Sequence, residues 1–92
     1  MPKTTKKPIK VEKPYQVTLI LGDLDYKAQG DTLLEAIEAL EVNDIRTSGL
    51  LVVRKDELIA ERRFPSIFKL KRFLNNKITK LIVAKNMEMM LK

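Results

Sequence analysis

The chain contains no cysteine, no histidine and no tryptophan, and only three of its 92 residues are glycine. Each absence narrows the chemistry. Without cysteine there are no disulfides, and without cysteine or histidine the common zinc and copper ligand sets are missing. General base catalysis near neutral pH most often uses histidine, so that route is closed. Three scattered glycines form neither a dinucleotide fingerprint nor a phosphate-binding loop. No apolar run approaches the roughly 18 residues needed to cross a bilayer. The basic N-terminus is not followed by the apolar core of a secretory signal. The expectation is a cytoplasmic, non-enzymatic protein without cofactor, metal, membrane association or small-molecule substrate.

What is present is charge, unevenly distributed. The net charge is +6, with residues 1–14 at +4, 15–53 at −5, 54–80 at +6 and 81–92 at +1. Such asymmetry bears on partners rather than on fold. The first fourteen residues hold Lys3, Lys6, Lys7, Lys10 and Lys13 with three prolines and little that is apolar. They cannot bury enough surface to offset their ordering entropy and read as a disordered basic arm. Residues 15–92 then form a single domain, of a size that buries only about 60–65% of its unfolded surface.

A spacing of 34 residues recurs without a gap: Val17-Thr18-Leu19 falls on Leu51-Val52-Val53, and Thr32-Leu33-Leu34 on Ser66-Ile67-Phe68. Tyr15 to Leu21 alternates and is rich in β-formers. Gly22-Asp23 suits a type II′ turn, and Leu24 to Ala28 alternates again. Thr32 and Glu35 have the spacing of a capping box, followed by a stripe of Leu33, Ala36, Ile37 and Leu40 that predicts a helix to about Val42-Asn43. The second copy repeats the pattern, with strands over Leu50–Arg54 and Glu57–Arg63. Ser66 caps a helix whose stripe is Ile67, Leu70 and Leu74. For residues 78–92 the β-branched run Ile78 to Val83 favours a fifth strand, with a helix through the methionines as the competing reading. The Met87–Leu91 end reads as a frayed terminus. The predicted fold is α+β, ordered ββαββαβ: two pseudo-repeated hairpin–helix units with both helices on one face of a mostly antiparallel sheet.

No enzyme-like constellation stands out. Asp23 and Asp25 read as solvated turn residues, and Ser66 is accounted for as a cap. The basic second half is more specific. Lys69 and Arg72 lie opposite the apolar stripe of the second helix, Phe68 precedes Arg72 by one turn, and Arg62 and Arg63 end the preceding strand. Cations around an exposed aromatic suit a phosphate backbone with a stacked base. Arg62, Arg63, Phe68, Lys69 and Arg72, helped by Lys3, Lys6, Lys7 and Lys10, are the candidate nucleic-acid-binding residues. The first helix carries the opposite sign in Glu35, Glu38 and Glu41, the candidate protein-interaction residues. Paired acidic and basic helix faces also fit self-association, as in a virion- or ring-type component, or docking to another protein.

Overall fold

The computed structural model describes residues 13–91. Lys3, Lys6, Lys7 and Lys10, and with them most of the expected arm, lie outside the described residues. The element order is β1 (Tyr15–Leu21), β2 (Leu24–Gly30), α1 (Leu33–Glu38), β3 (Gly49–Lys55), β4 (Leu58–Phe64), α2 (Ile67–Asn75) and α3 (Lys77–Met90). The four strands form one antiparallel sheet in the order β2-β1-β3-β4. This is an α+β fold, ordered ββαββαα.

Alternation fixes which face of the sheet is covered, because successive strand residues point to opposite sides. Val17, Leu19 and Leu21 of β1, Leu51 and Val53 of β3, and Ala60 and Phe64 of β4 are buried on one side. Leu33, Ala36 and Ile37 of α1, Leu70 and Phe73 of α2, and Val83, Ala84 and Met87 of α3 complete the same core. Helix α1 packs over β1 and β2, α2 over β4, and α3 lies against both other helices.

Two backbone features allow this packing. Gly22 opens the first hairpin turn with φ 62°, a conformation that costs glycine little. Gly30 ends β2 where a Cβ would lie 2.5 Å from the backbone nitrogen of Ala36. Only glycine lets the strand run that close to the start of α1. At the same relative position in the second hairpin, Asp56 adopts φ 56°.

Both helix caps form as the residue types require. Thr32 Oγ1 accepts from the Glu35 amide at 3.1 Å, and Ser66 Oγ accepts from the Lys69 amide at 3.1 Å.

The sequence-based expectations need correction in three places. Residues 77–90 are helical, not a fifth strand. Asn76 Oδ1 caps the helix by accepting from the Thr79 amide at 3.0 Å, and Val83, Ala84, Met87 and Leu91 bury one helical stripe. A strand would have sent Ala84 to the opposite face and spread Val83, Met87 and Leu91 over about 27 Å, where a helix gathers all four within about 12 Å. The methionine end is accordingly not frayed through its length: Met87 is fully buried and Leu91 nearly so. Helix α1 is shorter than its pattern predicts, ending at Glu38 with Ala39 as C-cap. The chain then turns so that Leu40 is buried while Val42 and Ile45 pack against the core in irregular conformation. Finally, the inward stripe of α2 is rotated toward Phe73. Phe73 is fully buried and stacks on Phe64 at 4.7 Å between centroids, whereas Ile67 is 39% exposed.

Candidate polyanion-binding groove

The outward side of α2 is set by its buried side. With Leu70 and Phe73 facing the sheet, a 3.6-residue period sends Phe68, Lys71, Arg72 and Asn75 the other way. Phe68 is 72% exposed, an unusual position for a large aromatic. It lines an open groove with Lys71, Arg72, Asn75 and Asn76, at the corner where α2 ends and α3 begins. Among the described residues the cation–ring contacts are Lys55 on Tyr15 at 5.0 Å and Arg62 on Phe64 at 5.5 Å. Phe68 and Arg72 therefore share the groove without stacking on each other, and the ring face stays open.

At this corner the N-terminus of α3 contributes positive potential and the C-terminus of α2 the opposite sign, so the net field there comes mainly from side-chain cations. Neither α2 nor α3 has an acidic residue in its first turn. Instead Lys69 occupies the first turn of α2, and Lys77 and Lys80 that of α3. A cation near the positive end of a helix dipole is unfavourable by about 0.3–1 kcal/mol, and a bound anion reverses the sign of that effect.

The residues singled out from sequence divide three ways. Phe68 and Arg72 meet in the groove. Lys69 lies one turn before Phe73 and so on the flank of α2 that meets Phe64, over whose ring the Arg62 guanidinium sits. Arg63 is on the opposite face of the sheet, since adjacent residues of β4 alternate. Sequence reasoning missed Asn75 and Asn76. They read as a turn, whereas Asn75 is the last residue of α2, on the same side as Phe68 and Arg72, and Asn76 caps α3. Lys71 also lines the groove, a place that follows from the rotation of α2 toward Phe73.

The acidic residues keep to a separate region. Glu35, Glu38 and Glu41 are all exposed, the first two on α1 and Glu41 in the segment after it. Among the described residues the ion pairs are Lys13 with Asp31 at 4.0 Å and Arg46 with Asp44 at 2.8 Å. Neither joins an α1 glutamate to an α2 cation. No group of three or more histidine, cysteine or carboxylate side chains suited to a metal occurs among the described residues. No helix among them is long and apolar enough to cross a membrane.

No family model matches the chain, and neither a curated protein nor a solved structure matches it.

Proposed function

We propose that this chain is a cytoplasmic, non-enzymatic module that binds nucleic acid, or a polyanion of similar charge spacing, in the shallow groove on the outward face of α2 at its C-terminal end. The observation that carries the reading is an open aromatic face, Phe68, among Lys71, Arg72, Asn75 and Asn76. Arg72 and Lys71 contact phosphate, Phe68 stacks on an unpaired base, and the two asparagine amides supply hydrogen bonds. Arg62 and Lys69 extend the positive surface along the β4 edge. The lysines at positions 3, 6, 7 and 10 add non-specific attraction. Arg63 belongs to a different surface and is omitted from this set.

The two hairpin–helix units are, in this proposal, pseudo-equivalent. Every element of the first unit starts 34 residues before its counterpart, from Tyr15 and Gly49 to Leu33 and Ile67. The β1–β3 register pairs Thr18 with Val52, residues separated by that same interval, as a two-fold through the centre of the sheet requires. On such a scaffold the units diverge in charge, one acidic and one basic.

The test is titration of a fluorescently labelled single-stranded oligonucleotide followed by anisotropy. Binding is expected to weaken steeply with added salt, and Phe68→Ala with Arg72→Ala is expected to weaken it at least tenfold, since stacking of one base contributes about 1–3 kcal/mol. Absent or salt-insensitive binding at about 50 mM salt contradicts the proposal.

A second reading has its own observation. The exposed glutamates of α1 are not paired with the cations of α2 among the described residues. That leaves an acidic face suited to a basic protein partner or to the basic face of another copy.

A further inference from the structure

All three helices lie on one side of the sheet, and among the described residues no helix covers the other. A solvated antiparallel sheet face is ordinarily polar. Here the two central strands present Thr18 and Ile20 from β1 and Leu50 and Val52 from β3, each half-buried. On the edge strand β4, Ile59 is 59% exposed on the same face.

The charges around this apolar centre are arranged with a definite symmetry. The cross-strand register aligns outward residues in rows that run across the sheet. One row is Lys27, Thr18, Val52 and Glu61; the next is Asp25, Ile20, Leu50 and Arg63. Each of these two rows therefore begins and ends on opposite charges, while the third outward row, Gln29, Gln16, Arg54 and Ile59, carries its one charge on a central strand. The two charged ends are three strand spacings apart, roughly 14 Å, too far to pair within one molecule. None of the four end charges makes an ion pair among the described residues.

We infer that this open face is the interface of a two-fold homodimer in which two sheets pack face to face with their strands aligned. A two-fold axis parallel to the strands lays β2 of one copy over β4 of the other. Asp25 of each copy then faces Arg63 of the other, and Lys27 of each faces Glu61 of the other. At the centre Ile20 meets Leu50 and Thr18 meets Val52. The alternative two-fold, running across the strands through the sheet centre, sets Lys27 against its own counterpart and Glu61 against its own; moved to lie between the two rows it matches opposite charges but leaves the third outward row unopposed. Complementarity together with full overlap of the two sheets thus favours the strand-parallel axis. Four strands of seven residues span roughly 19 Å by 24 Å, a footprint near 450 Å² per copy. That lies at the low end for specific interfaces and points to a dimer that dissociates on dilution. The inference stands apart from the groove of α2 and α3, which faces outward in such a dimer.

Sedimentation equilibrium of the full chain from about 10 μM to about 1 mM tests it, a range that brackets a weak interface of this size. The mass is expected to rise from 10.6 kDa toward twice that value. Arg63→Glu alone and Asp25→Arg alone each place like charges in contact at two symmetry-related points, and each is expected to weaken association at least ~10-fold. Mixing the two variants is expected to restore a dimer of one copy of each, because opposite signs again meet at both points. Lys27→Glu and Glu61→Lys form an independent pair with the same expected behaviour. All four side chains are exposed, so circular dichroism is expected to stay unchanged. A monomer throughout the concentration range, a dimer indifferent to both single reversals, or mixed variants that stay apart each overturns the inference.

Discussion

Asp56 holds φ 56°, the conformation that Gly22 takes at the equivalent turn with no Cβ in the way. For an aspartate the left-handed region costs about 1 kcal/mol, part of which its short side chain recovers locally. The Asp56 carbonyl accepts from Arg54 Nε at 3.3 Å, a bond that survives replacement of the side chain. Asp56→Gly is therefore expected to stabilise the domain by about 0.5–1 kcal/mol, read as a rise in the urea midpoint at constant slope. A fall in the midpoint would show that the aspartate side chain contributes more to the turn than its backbone conformation costs. Phe73 illustrates the opposite case, in which packing overrides a simple periodic reading. Stacking on Phe64 draws it inward and rotates the whole helix, and that rotation is what exposes Phe68 beside Lys71 and Arg72.

The elements best legible in the sequence are those whose cause is local. The first hairpin follows from alternation and a two-residue turn, the second from its match to the first at a spacing of 34 residues, and both early helix starts from a hydroxyl three residues before an amide it caps. The C-terminal element was ambiguous because its cause is distant. Ile78, Ile82 and Val83 are good strand formers taken one at a time, and only the core formed by the earlier elements selects the stripe Val83, Ala84, Met87 and Leu91. The exposed Ile78 and Ile82 belong to the other side of that helix and obscure its period in the sequence. Tyr15 further ties α3 to the sheet, its hydroxyl donating to Glu88 Oε2 at 3.1 Å across 73 residues. The candidate groove was half legible: Phe68 and Arg72 share a helix face, whereas Asn75 and Asn76 read as a turn and are in fact the last residue of α2 and the cap of α3. Met87→Ala removes a fully buried side chain from the α3 contact and is expected to cost about 2–5 kcal/mol in urea unfolding. A loss below about 0.5 kcal/mol would mean that α3 is not docked on the core in solution.

At the scale of the whole molecule the features separate onto three surfaces. The glutamates of α1 occupy one side of the helical layer, the cations of α2 and the start of α3 the other, and the uncovered sheet face carries its own apolar centre and paired rim. A sheet-mediated dimer would present two basic grooves outward at once. Two weak contacts to one long polyanion would then act together, raising avidity without any new contact. The claim on which the functional reading depends is that binding is localised to the groove rather than spread over every cation. Amide chemical-shift mapping during an oligonucleotide titration at low salt examines this directly. Shifts are expected to concentrate at Phe68, Lys71, Arg72, Asn75 and Asn76, to leave Glu35 and Glu38 unmoved, and to shrink as salt is added. Shifts centred on α1, or distributed evenly among exposed lysines and arginines, would contradict it.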